Sequence, residues 1–132
     1  MESKNALTNI SATRIVASMV GVFGGLMGME HGYFEKLQGN VAPRSMIIDA
    51  IGRQANSVFQ GSEPALTIIP NFFVTGILAI ILGLIVAIWT AAFIQRKNGI
   101  VIMMLFSVML FLVGGGRAPL IIEIIAGAVA TR

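Results

Sequence analysis

Few residues in this chain can do chemistry, and most of them stand at the ends of apolar runs. His31 and Glu35 are four positions apart. In a helix that spacing puts them side by side on one face. A His–Glu pair at a helix end packed against a partner can relay protons, bind a cation or hydrogen-bond a polar ligand. A structural clamp on a neighbouring helix, or an exposed pair at a membrane boundary, is the competing reading. Glu30 points away from both. Metal chemistry is disfavoured with one His and no Cys, and a haem would need a second axial ligand from elsewhere. No Ser, Thr or Cys nucleophile stands beside an evident base, so no catalytic residue is assigned.

A second constellation is Gly114-Gly115-Gly116-Arg117-Ala118-Pro119. The glycines relax the backbone and Pro119 suits the first turn of a new helix. Helix N-termini favour anions, and broken helices at membrane depth line buried or watery cavities. Glu123 follows in apolar surroundings, with Arg117 as its nearest partner in sequence. The competing reading is an ordinary turn with Arg117 among lipid headgroups. The Gly-Lys-Ser/Thr ending of a phosphate loop is missing.

The elements that must position these groups are membrane helices. From Pro64 to Gln95 there is no charged side chain, and Arg96 and Lys97 end the run. About 20 apolar residues suffice to cross a bilayer core as a helix, and this unbroken pattern is not that of a barrel strand. Apolar residues make up 56% of the 132 and charged residues 11%, far from a soluble balance. The expected fold is an all-α integral membrane protein. It is a small bundle of three transmembrane helices plus a short fourth apolar segment, in a single membrane domain covering 1–132. Helix 1 is expected at about 14–37, helix 2 at about 66–94, helix 3 at about 99–115 and segment 4 at about 118–131. Segment 4 is a half-helix, a re-entrant piece or a span cut short. A cleaved signal competes for the first run, but no A-x-A pattern follows it. Pro70 sits in the first turn of helix 2 or kinks it. Within the connection 38–63, Ile47, Ile48, Ile51, Ala55, Val58 and Phe59 can share one face, which predicts an interfacial amphipathic helix.

Small residues recur along helix 1. Gly24, Gly28 and Gly32 are spaced by four, with Gly21 and Gly25 as a parallel pair. Such a glycine zipper lets backbones approach closely, either within the chain or between copies. Helix 2 carries a matching row, Ala79, Gly83, Ala87 and Ala91. A gapped echo between Ala42-Pro43…Ile47-Ile48-Asp49 and Ala118-Pro119…Ile121-Ile122-Glu123 suggests a parallel two-helix repeat.

With alternating helices, His31, Glu35, Asn71, Arg117 and Glu123 fall on one side of the membrane and predict a shared polar pocket there. The leading functional expectation is a small non-enzymatic multi-pass membrane protein, in solute or ion passage or as an accessory subunit. The alternative is a subunit of a membrane redox or lipid enzyme that binds a cofactor, quinone or lipid; no motif names a cofactor. The expected partners are the lipid bilayer and further copies or other membrane subunits. The net charge of +3 comes from basic residues beside apolar runs and not from a nucleic-acid motif, so nucleic acid is not an expected partner. The concentration of Arg96 and Lys97 in one short turn places that turn, and the N-terminus, in the cytoplasm of a plasma membrane. Single cysteines at Asn98 and Ser57, labelled with an impermeant reagent on intact cells, test this topology. Ser57 should react and Asn98 should not; the reverse pattern inverts the assignment.

Overall fold

The computed structural model describes residues 12–49 and 64–132. Four helices dominate: α1 (Ala12–Leu37), α2 (Phe72–Phe93), α3 (Gly99–Leu112) and α4 (Arg117–Ala130), with two short strands, β1 (Ile47–Asp49) and β2 (Pro64–Leu66), between α1 and α2. Helices α1 and α2 are long and apolar enough to cross a membrane. Helix α3 has 14 residues, about 21 Å at the usual rise, shorter than the roughly 30 Å hydrocarbon core of a bilayer. α4 is equally short, in keeping with a half-length fourth segment.

Two sequence expectations are corrected here. The amphipathic helix of the connection is not what forms at its start: Ile47–Asp49 is a strand, antiparallel to Pro64–Leu66 with Ile48 opposite Ala65. Ile48 and Ala65 are buried with Phe72 packed against them. The remainder of that expected helix, including Ile51, Ala55, Val58 and Phe59, lies outside the described residues. The echo between 42–52 and 118–127 also fails as a structural repeat, since its first copy is strand at 47–49 and its second lies within α4. Helix 2 starts later than expected for a related reason. Residues 64–66 are taken by β2, Pro70 stays outside, and Asn71 caps the helix by accepting a hydrogen bond from Val74 N.

The helices form a ring in which α1 packs on α2 and α4, and α3 closes the far side against both. Turns fix the antiparallel order. The α2–α3 turn passes through Asn98 at φ 64, a left-handed conformation that Asn tolerates, and Trp89 Nε1 ties it down by donating to Gly99 O at 2.9 Å. At the other end the α3–α4 turn is pinned through backbone hydrogen bonds from Gly114 N to Leu66 O and from Ile68 N to Leu112 O. The small sheet is therefore the strap that holds this turn over the bundle.

The α1–α2 contact is backbone on backbone. A methyl group on Gly25 would stand 2.7 Å from both Ala87 N and Gly83 O, and one on Gly32 would stand 2.6 Å from Gly76 O. Gly28 differs, because its added methyl would meet the Leu110 side chain and not main chain. Large apolar side chains such as Phe23, Leu26, Ile88 and Leu105 point outward, while Thr75, Thr90, Ser107, His31, Glu35 and Glu123 are buried.

This packing makes the glycines unequal. Gly25→Ala should destabilise the protein by about 1–3 kcal/mol, the usual cost of overpacking. Gly28→Ala should cost clearly less. Thermal unfolding in a mild detergent checks the order; equal midpoints for the two variants would contradict the backbone contact at Gly25.

Candidate functional site

Three titratable side chains lie on the seam between α1 and α4. His31 is 1% exposed, and Glu35 and Glu123 are 0% exposed. Their order along α1 follows from its antiparallel packing on α4. Glu35 lies against Gly114 and His31 against Gly116, both in the turn before α4. Glu123, two turns into α4, lies against Gly21 and Gly24. At 1.5 Å per residue, His31 and the level of Glu123 are about 10–15 Å apart along α1.

Each group has a specific seat. His31 Nδ1 donates to Met27 O at 2.8 Å, one turn back in the same helix. Because a carbonyl can only accept, the proton on Nδ1 is assigned, and Nε2 is the other ring nitrogen. Nε2 faces the Gly116 backbone, where an added methyl would stand 2.7 Å away. Gly116 has φ +80 and Gly114 φ +94, left-handed values that suit glycine. A side chain on Gly114 would run straight into the Glu35 carboxyl. The turn is thus a bare backbone cover laid over the pair. Buried hydroxyls hold it down: Thr75 Oγ1 donates to Val113 O at 2.5 Å, and Thr67 Oγ1, within hydrogen-bond reach of Ile69 O, lies 2.7 Å from Thr75 Oγ1.

The Glu123 carboxyl fills the space left by two missing side chains. A methyl on Gly24 would stand 2.5 Å from its Oε1, and one on Gly21 would stand 3.1 Å from Oε2. Thr90 crowds Gly21 from the α2 side, and its hydroxyl is already used, donating to Val86 O at 2.7 Å. Neither oxygen of Glu35 or of Glu123 has a hydrogen-bond partner among the described residues. The Gly25 backbone is near enough to act on the Glu123 carboxyl electrostatically, without a hydrogen bond of ordinary geometry. Buried polar atoms without partners are rare and carry a large desolvation penalty.

The five residues expected to share a pocket are not all together. His31, Glu35 and Glu123 share the α1–α4 seam. Asn71 is the α2 cap and donates to Asn40 Oδ1, tying the connection after α1 to the start of α2. Arg117 is exposed and borders an apolar pocket of about 240 Å³ with Ile47, Leu66 and Phe111. The expected Arg117–Glu123 pairing is corrected: six residues along a helix turn the two side chains about 120° apart, and Glu123 faces α1. Among the described residues no three His, Asp or Glu side chains gather as a metal-binding group. The packing glycines Gly21, Gly24, Gly25, Gly28 and Gly32 are all buried, and they divide their work: Gly25 and Gly32 meet α2, Gly21 and Gly24 receive Glu123, and Gly28 meets Leu110 of α3. The buried hydroxyls Thr67, Thr75, Thr90 and Ser107 went unnoticed in the sequence. For Thr75, Thr90 and Ser107 the signal is a lone Thr or Ser in a uniformly apolar helix, which marks the face turned from lipid, whereas Thr67 lies outside the helices.

Comparison with protein-family models, curated proteins and solved structures returned no match to this chain. The functional reading therefore rests on the seam itself.

The seating of Glu123 can be tested by a double-mutant cycle. Gly24→Ala should destabilise the wild type, yet be near neutral in a Glu123→Ala background, giving a coupling of about 0.5–3 kcal/mol. Additive effects would show that the carboxyl does not occupy the Gly24 notch.

Proposed function

We propose that this chain is a non-enzymatic multi-pass membrane protein that handles protons, with His31, Glu35 and Glu123 as its proton-carrying groups. The observation that carries this reading is the pair of fully buried carboxyls without a hydrogen-bond partner, set with His31 along one helix seam. Ionisable residues at membrane depth typically face a bundle interior and mark proton or ion pathways. The membrane setting is supported by the outward Ile, Leu and Phe side chains and the inward small and polar ones, the reverse of a water-soluble surface.

A proton fits these seats better than a metal cation. A dehydrated cation needs several oxygen ligands, six or so for the hard divalent ions. At the Gly21 and Gly24 positions that face the Glu123 carboxyl, the other nearest atoms are the side-chain carbons of Ile122 and Thr90, and the Thr90 hydroxyl is committed to Val86 O. A proton needs only one carboxyl oxygen. His31 adds an imidazole, a side chain chemically able to take up and release a proton. The His31–Glu35 pair beneath the glycine turn and Glu123 deeper in the seam then act as two stations of one route, in a passage of its own or within a larger membrane complex.

The test uses the purified full chain in vesicles loaded with a pH-sensitive dye, driven by a potassium diffusion potential. Wild type should acidify the lumen, and Glu123→Gln should fall to the level of protein-free vesicles while keeping its thermal midpoint. In parallel, a pH-dependent carboxylic C=O band in the infrared spectrum should vanish in Glu123→Gln, a readout that needs no partner subunit. A stable Glu123→Gln protein with unchanged flux and an unchanged spectrum would reduce the seam to a structural clamp.

A further inference from the structure

The end of the bundle away from Glu35 carries a different feature. Arg14, in the first turn of α1, and Arg96, in the α2–α3 turn, border one pocket of about 130 Å³ together with Gln95. Arg14 and Gln95 also border a larger groove of about 460 Å³ with Ser18, Met19 and Ala91. The last three in turn border a third space of about 530 Å³, completed by Val22, Phe23 and Leu26. Shared lining residues link the three spaces: the first, which Ile100 of α3 and Ala130 of α4 also border, sits at the end of the bundle, and the other two follow the α1–α2 seam with the small Ala91 as their common α2 residue.

The groove is amphiphilic. Its head has two guanidinium groups, and among the described residues none that lines it is acidic. Arg96 is stacked over the Phe93 ring at 5.4 Å, which limits where its guanidinium can go. Arg14 lies in the first described turn of α1, which holds no acidic residue to offset it. An anion between Arg14 and Arg96 relieves both, and the planar guanidinium matches phosphate oxygens bidentately. Beyond Ser18 the lining becomes apolar, and Met19, Phe23 and Leu26 are at least half exposed. From Arg14 to Leu26 the groove runs about 18 Å, close to the roughly 15 Å depth of one hydrocarbon leaflet. A small free anion would use only the head of this groove.

We propose that the α1–α2 groove binds one anionic phospholipid, its phosphate between Arg14 and Arg96 and an acyl chain along Met19, Val22, Phe23 and Leu26. The site rests on the membrane reading but is independent of the proton seam. It puts a lipid on the outer side of the helix whose inner side seats Glu123.

The experiment titrates the purified full chain in neutral detergent with phosphatidylglycerol and with phosphatidylcholine of the same acyl chains, reading thermal midpoint and bound lipid by native mass spectrometry. Phosphatidylglycerol should raise the midpoint and remain bound as one copy; phosphatidylcholine and inorganic phosphate should do neither. Arg14→Gln combined with Arg96→Gln should weaken phosphatidylglycerol binding by about tenfold or more. Ala91→Phe, which fills the groove from an exposed position, should weaken it with both arginines intact. Equal shifts with the two lipids, an equal shift with phosphate alone, or undiminished phosphatidylglycerol binding in Ala91→Phe would each overturn the site. If the double arginine variant fails to fold, the Ala91→Phe result decides.

Discussion

Two carboxyl groups sealed from solvent against bare glycine backbone set the terms for the rest of this structure. Glu123 fits only because Gly21 and Gly24 have no side chains, and Glu35 fits only because Gly114 has none. Placing such groups inside a dry interior is costly unless a proton, a cation or a donor meets them. The packing around them is correspondingly tight. α1 lies backbone to backbone on α2 through Gly25, Gly32, Gly76 and Gly83, so α1 has little freedom to move aside on that flank. The flank toward α4 carries the carboxyl, and there the contact is with a side chain whose charge can change.

That division gives the glycines of α1 two distinct duties. Toward α2 they serve close helix approach, which in a bilayer gains from dispersion contacts between backbones. Toward α4 they serve as receptacles. The α3–α4 turn extends the same principle outside the helix: Gly114 and Gly116 cover Glu35 and His31 with main chain alone, and the Thr67–Thr75–Val113 hydrogen bonds and the β1–β2 strap hold that cover in place. A local opening of the turn would expose the His31–Glu35 pair while leaving Glu123 in its seat.

Much of this was legible in the residues. The i, i+4 spacing of His31 and Glu35 and the four-residue glycine recurrence both follow from helix geometry, and the uncharged run before Arg96 marks α2. Errors arose where a partner distant in sequence decides the outcome. Ile47 and Ile48 suit a helix face or a strand equally well, and only pairing with Pro64–Leu66 selects the strand. Arg117 looked like the partner of Glu123 because sequence proximity was the only distance on hand. Helical rotation separates them, and Arg117 instead borders a pocket that the strand residues Ile47 and Leu66 also line.

The sequence by itself determined the helical class, the apolar character of α1 and α2, the small-residue face of α1 and the presence of a few ionisable groups in apolar surroundings. These are properties of local periodicity and composition, which each segment carries alone. Only the tertiary structure decided which of those groups meet. Burial of Glu123 depends on α4 running antiparallel to α1 in one register, with Gly21 and Gly24 at its level. The cover over Glu35 depends on two left-handed glycines far along the chain. Such juxtapositions are set by the packing of separate helices, and no pattern within one segment encodes the register between two.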